Sequence, residues 1–241
     1  TAALRGHQVE LHEKSGHLGG RLLPAGVHDF KKELLELNDW YQQELERLPN
    51  VEIHLNSALT AEDIAKRKPD VAVLAVGAQP NIPSIPGADG PYVVDAVKAL
   101  EGVQPIGERV VVIGGGFVAC EIAYGYAEEG KHVTIIVQEK DILQTGAFVP
   151  LMNGQMLRDL LSYHRVTILG ERKILAIEKE GVVTSRISDE SQMTTPADTV
   201  ILSTGFKADA AMAGVLYGSR QCFERRYSGL YACQIPLIGL Y

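Results

Sequence analysis

Cysteine is scarce. Only Cys120, Cys222 and Cys233 occur in 241 residues, and no two stand in a C-x-x-C or C-x-x-x-x-C spacing. That excludes a disulfide framework, a four-cysteine metal site and a redox dithiol. Three thiols also fall short of ligating an iron–sulfur cluster. Long apolar runs are lacking too: runs such as residues 110–113 stop at glycines, far below the roughly 18 residues of a membrane span. The opening TAALRGHQVELHEK has no basic-then-apolar signal layout. Basic charge is in deficit, with Lys plus Arg at 23 against Asp plus Glu at 30 and a net charge of −7. Such a balance argues against nucleic acids and anionic membranes as partners. The seven histidines show no H-x-x-x-H or H-E-x-x-H spacing, so no metal site is expected. His12 and His54 lie on strand patterns and read as packed or surface residues. No G-x-S-x-G hydrolase turn occurs. The expectation is a cytoplasmic protein that handles small molecules.

What is present is ordinary for a packed chain, with 46% hydrophobic and 22% charged residues. Residues 8–12 alternate as a short strand and lead into the glycine-rich turn SGHLGGR. Residues 30–48 carry a near-helical apolar stripe, with Asp29 as its cap and Pro49-Asn50 as its stop. Residues 51–55 alternate as a strand. Residues 70–76 (DVAVLAV) are almost entirely apolar, as in a parallel strand covered on both faces. The Pro/Gly-rich stretch at 80–91 marks a crossover. After it come strand 109–113, helix 117–129, strand 132–137, helix 152–163, short strands at 166–168, 173–178 and 182–187, and a buried strand 199–203 that ends in Thr204-Gly205. Strands alternating with helices predict parallel sheets. The fold class is therefore α/β: two Rossmann-like domains with flanking helices and a β-meander, the first incomplete at its N-terminus. We divide the chain into residues 1–105, 106–205 and an atypical tail, 206–241, whose last part (219–241) fits neither sheet.

The strongest local signal lies in ERVVVIGGGFVACEIAYGYAEEGKHVTII, residues 108–136. Gly114-Gly115-Gly116-Phe117-Val118-Ala119 reads G-x-G-x-x-A after a strand and into a helix, with a second strand inside a unit of about 30 residues. Gly114 permits the tight turn, Gly116 lets backbone N–H groups approach a pyrophosphate, and Ala119 lets the helix pack on the strand. The helix N-terminus then offers donors and partial positive charge to phosphates. A ribose-binding acid belongs at the end of the second strand, where Val137 stands instead. Glu139 is a substitute, Lys140 would favour a 2′-phosphate, and solvated loop charges are an equal alternative. NADH or NADPH stays open. In the first half, Glu13 ends the strand at 8–12 where such an acid belongs, with a plain surface acid as the alternative. Cys120 reads as a small core residue.

EKSGHLGGRL (13–22), LAVGAQPNIPSIPG (74–87), VVVIGGGFVACEIA (110–123) and VILSTG (200–205) together resemble a two-dinucleotide flavoprotein. More narrowly, the chain is similar over residues 1–214 to the C-terminal FAD/NAD(P)-binding part of NADH:flavin oxidoreductases related to 2,4-dienoyl-CoA reductase, trimethylamine dehydrogenase and enoate reductases. The resemblance implies that Glu13 holds the FAD adenosine ribose and that Gly19, Gly20 and Arg21 touch the flavin nucleotide. It puts residues 56–60, Leu59 among them, beside the adenine. Ala75-Val76-Gly77 matches the family's Ala-Thr-Gly turn, with Val76 as a departure. Gly114 to Ala119 would take NAD(P)H, Glu121 falls where relatives place a Glu near the nicotinamide, and Gly205 closes the fourth motif. It also implies a barrel with FMN and a 4Fe–4S cluster that is not in this chain, and a homo-oligomer is compatible. A first glycine loop is expected ahead of Thr1, and no Gly-Asp pair follows Gly205. A shifted frame near Ser219 is one origin for the tail. Three functions follow: a hydride-carrying oxidoreductase module, a nucleotide-binding module without turnover, and an inactive fragment of such an enzyme.

Overall fold

The computed structural model describes residues 1–144, 146 and 149–208, together with the backbone of 230–232. Backbone contacts divide the chain into two compact units.

The first unit holds Thr1–Gly77. Its elements are β1 (Val9–His12), α1 (Leu22–Ala25), α2 (Glu33–Glu46), β2 (Val51–His54), α3 (Ala61–Arg67) and β3 (Ala72–Leu74). β1 and β2 run parallel, with Val9 opposite Val51 and His12 opposite His54. Helix α3 starts on a capping box: the Thr60 hydroxyl accepts from the Asp63 N–H at 3.2 Å, and the Asp63 carboxylate accepts from the Thr60 N–H at 2.9 Å. Lys66 and Arg67 in its last turn complement the helix dipole. The buried core among the described residues of this unit is small, Ile64 and Leu74 with Leu59, Ala61 and Ala72 around them.

Two expectations need correction in this unit. Asp29 does not cap the long helix; it opens a separate 3-10 turn, Asp29–Lys31, and α2 begins after Lys32 with no side-chain cap. The apolar segment 70–76 is not covered on both faces, since Val71, Val73 and Val76 are 50%, 63% and 43% exposed. Only β3 within it is strand, and only Leu74 is buried.

The second unit holds Ala78–Lys207. Its elements are β4 (Ala78–Pro80), β5 (Val93–Asp95), α4 (Ala96–Leu100), β6 (Arg109–Ile113), α5 (Phe117–Glu128), β7 (His132–Ile136), α6 (Leu151–Tyr163) and β8 (Thr167–Leu169), then β9 (Arg172–Glu178), β10 (Gly181–Arg186), β11 (Gln192–Pro196), β12 (Thr199–Leu202) and β13 (Phe206–Ala208). The main sheet is parallel, in the order β5-β12-β6-β7-β8. β9, β10 and β11 form an antiparallel meander. β4 pairs with β13.

Strand alternation sorts the core into two layers. Val110 and Val112 pack with Ala119, Ile122 and Ala123 of α5 and with Leu157 and Leu161 of α6. Val111 and Ile113 pack instead with Ile177 and Val182 of the meander. All four β6 residues are at most 4% exposed, and each such burial is worth about 1.5–3 kcal/mol. A near-continuous apolar run is what a parallel strand covered on both faces requires. β5 and α4 lie in this unit, where β5 pairs with β12. One further strand, β14 (Leu230–Ala232), pairs in parallel with β3. It falls in the tail that the sequence left unassigned, where three residues are too few to show a period.

Candidate functional site

In the main sheet the chain moves outward from β6 through β7 to β8, then returns to the other side of β6 as β12. The strand order therefore reverses between β6 and β12, and ligands of open α/β sheets bind beyond the carboxyl ends of strands at such a point. Gly114 leaves β6 there with φ +122°. A Cβ at this position would lie 2.2 Å from the Ser203 carbonyl oxygen, against the end of β12. Gly115 is equally confined: a Cβ would meet Val137 Cγ1 at 2.6 Å. Both glycines are thus required by the approach of neighbouring backbone and side chain.

Backbone hydrogen bonds fix the loop. The Gly114 N–H donates to Ile136 O at 3.0 Å, and the Gly115 carbonyl accepts from Leu143 N–H at 2.6 Å. Gly116 is the N-cap of α5, with an extended backbone and no side-chain cap, and no acidic residue stands in the first turn. Phe117 and Val118 form that turn, and Ala119 behind them is fully buried. A helix start without a carboxylate, on a strand end at the switch point, suits a phosphate. The NAD(P)H pyrophosphate fits these residues.

Across the crevice, the turn after β12 is tied to residues after β4. The Asn81 N–H donates to Gly205 O at 2.9 Å, and the Thr204 hydroxyl donates to Asn81 O at 2.5 Å. Gly205 has φ +88°. At the end of β7, Val137 is 2% exposed and packs on Gly115, so this position serves the core. Glu139 and Lys140 are exposed. Their loop is held by the Glu171 N–H donating to Glu139 O at 2.7 Å and by Gly170, where a Cβ would lie 2.1 Å from Lys140 O. Glu121 is half-buried early in α5. Cys120 is fully buried, as expected of a core residue, and burial pushes its thiol up to about 12. It is no nucleophile. Cys222 and Cys233 lie outside the described residues.

In the first unit, Glu13 follows β1 and its backbone joins it to the strand beside it: its N–H donates to His54 O at 2.9 Å. Its Oε1 accepts from the Ser15 N–H at 2.8 Å and the Ser15 hydroxyl at 2.9 Å. The Ser15 N–H holds the carboxyl below its ordinary range, helped by the hydroxyl. Two bonds do not saturate a carboxylate, which has about four acceptor sites, so a ribose hydroxyl fits beside Ser15. Gly19 (φ +116°) lies against Asn38, where a Cβ would come within 2.6 Å of Oδ1; Gly20 (φ +47°) continues the turn into Arg21 and α1. Asn56 donates its N–H to Ser15 O at 2.8 Å, which brings residues 56–60 to the Glu13 turn. Leu59 is half-buried and packs against Ile64 and Leu74. Ala75, Val76 and Gly77 are exposed.

Four positions were missed from the sequence. Ser15, Asn38, Asn81 and Ser203 shape these turns through contacts that, apart from Ser15, come from distant stretches, and Ser15 alone had a readable signal, an Asx-type spacing two residues after an acid.

The profile of the pyridine nucleotide-disulphide oxidoreductase family matches residues 57–225. The cinnamate reductase of Clostridium sporogenes is 38% identical over 209 residues, which is 87% of this chain and 31% of that protein. The NADH oxidase of Thermoanaerobacter brockii is 43% identical over 146 residues, 59% of this chain and 22% of that protein. A 2-naphthoyl-CoA reductase solved with 2-naphthoyl-CoA superposes with a TM-score of 0.83 at 29% identity, over 96% of this chain and 33% of that one. The chain thus spans a third or less of the length of these relatives. The α/β class with Rossmann-type sheets and the likeness to enoate- and dienoyl-CoA-reductase-type flavoproteins both hold. The chain belongs to the pyridine nucleotide-disulphide oxidoreductase family.

Proposed function

We propose that this chain is the electron-entry part of an NAD(P)H-dependent flavin oxidoreductase of the enoate reductase kind. The observation that carries it is Gly114, pinned against Ser203 at the point where the strand order reverses. NAD(P)H binds there with its pyrophosphate on the first turn of α5, between the Gly114 loop and the Ser203–Gly205 turn. Glu139 and Lys140 meet the adenosine ribose and decide between a hydroxyl and a phosphate. Glu121 orients the nicotinamide end. Glu13, kept ionised by Ser15, accepts from the adenosine ribose of FAD, with Gly19, Gly20, Arg21, Leu59 and residues 75–77 as further contacts of that nucleotide.

When both cofactors are bound, the nicotinamide supplies a hydride and the flavin accepts it. The residues named above bind and orient; none is required as an acid or base. An FMN and 4Fe–4S barrel in a longer protein would take the electrons onward, and the likeness to a cinnamate reductase and a 2-naphthoyl-CoA reductase supports an unsaturated acid or thioester as the substrate class. Among the described residues no helix is long and apolar enough to cross a membrane; a cytoplasmic setting is part of the proposed reading. A homo-oligomer is compatible with the same reading.

Burial of Val137 at the ribose-acid position favours one other reading, a nucleotide-binding module without turnover. Anaerobic addition of NADH or NADPH to the FAD-loaded chain separates the two. Bleaching of the visible flavin band at a rate that saturates with nucleotide is expected. Tight nucleotide binding with no bleaching would sink the oxidoreductase reading and leave the module.

A further inference from the structure

The first unit contains a repeat that the nucleotide sites do not use. β1 reads Val9-Glu10-Leu11-His12 and β2 reads Val51-Glu52-Ile53-His54, and the two pair in parallel with Glu10 opposite Glu52 and His12 opposite His54. Residues two apart on a strand share a face. Two carboxylates and two imidazoles therefore meet on one side of the pair. The His12 and His54 rings stack with centroids 4.4 Å apart and planes 11° from parallel. One ligand atom each from Glu10, His12 and His54 lie within 4.8 Å of one another.

We propose that this face is a binding site for a divalent cation of the zinc type, ligated by His12, His54 and Glu10 with Glu52 at the rim. Tetrahedral zinc with bonds near 2 Å needs ligand atoms about 3.3 Å apart, and small side-chain rotations close the present spacing to that value. His12 Nε2 is already 3.4 Å from Glu10 Oε2. Its other ring nitrogen, Nδ1, lies 2.9 Å from the Ser57 hydroxyl, the kind of outer partner that fixes which nitrogen faces a metal.

An independent observation points to a ligand. Among the described residues His54 Nε2 makes no hydrogen bond, and Glu52 Oε1 stands 3.2 Å away as its ion-pair partner. A cation between them would take up both the imidazole nitrogen and the carboxylate. Arg67 donates to Glu10 Oε2 at 2.7 Å; it competes for the carboxylate and also orients it. Two imidazoles with one or two carboxylates suit Zn²⁺, Co²⁺ or Ni²⁺ in preference to Mg²⁺ or Ca²⁺. The charged and polar groups facing the imidazoles are Glu10, Glu52, Arg67 and Ser57.

The test uses the untagged 241-residue chain, stripped with chelator and titrated with Zn²⁺ by calorimetry and with Co²⁺ by visible absorption. One saturable ion per chain is expected, with the strong absorption bands of tetrahedral Co²⁺. His12→Ala and Glu10→Gln weaken binding at least about tenfold, and Ser57→Ala weakens it about tenfold. Glu10 is half-exposed, so Glu10→Gln keeps the fold, as circular dichroism would verify. Absence of saturable uptake, or uptake that these variants leave unchanged, overturns the site. The outcome is independent of nucleotide binding.

Discussion

The two units carry similar apolar patterns into different surroundings. In the second, β6 is buried on both faces, with α5 and α6 on one side and the meander on the other. In the first, β3 comes from an equally apolar stretch, yet Val71, Val73 and Val76 stay exposed. An apolar run states what a strand can bury; the neighbouring elements decide what it does bury. The same contrast runs through the turns. The Gly114 loop is confined by the Ser203 backbone on one side and the Val137 side chain on the other, whereas Ala75, Val76 and Gly77 are exposed.

Substitutions in matched positions sharpen the contrast. Ile135 on β7 is fully buried, and Val73 on β3 is 63% exposed. Ile135→Ala is expected to cost about 2–5 kcal/mol, a large cavity loss, and Val73→Ala less than about 0.5 kcal/mol. Urea unfolding of both variants measures this directly. Equal costs would mean that β3 is covered in solution. Next in size is Gly114→Ala, which forces an L-residue to φ +122° and its Cβ onto Ser203. About 1–3 kcal/mol of stability is lost, together with NADH affinity. Gly77→Ala has a positive φ but open space, and should lose less stability.

Smaller effects follow from charge. Glu13 is held below the ordinary carboxylate range by Ser15. Its contribution is therefore complete above the unfolded value of about 4.3 and lost as pH falls through the lowered one. FAD retention is expected to drop on Glu13→Gln and to become pH-dependent in the wild type only below about pH 4.3. Equilibrium dialysis at several pH values measures both. In the second unit, Asp198 accepts from Arg109 and is held down to about 2. The same sign applies: the pair supports β6 and β12 above about pH 4 and ceases to as pH falls toward 2. The pair is exposed, so the effect is the smallest. The Tm difference between wild type and Asp198→Asn should shrink steadily from pH 5 to pH 2, and a difference that grows instead would refute the assignment.

What could be read from the sequence follows the locality of the interactions. The Gly114 loop was legible because turn, helix start and packing residue all fall within six positions. Glu13 was legible because it ends a strand. Asn38 beside Gly19, and Asn81 on Gly205, were not: each reaches its partner across a register that no local pattern encodes. Val137 serves the core through its contact with Gly115, a pairing of two segments that no local pattern encodes. The Glu10, His12, Glu52 and His54 face escaped for the same reason, since metal motifs are sought along one segment and here two strands supply the ligands. α2 was found from its stripe, but its start was misplaced because Asp29 turns the chain one step earlier.

The Gly114 crevice is proposed to bind a dinucleotide. Calorimetric titration of the 241-residue chain with NADH and with NADPH tests it most directly, alongside Gly116→Val, whose φ of −78° suits any residue. The account predicts one site per chain, with binding abolished in Gly116→Val while its thermal melt is retained. Equal binding by the wild type and by a folded Gly116→Val would contradict it.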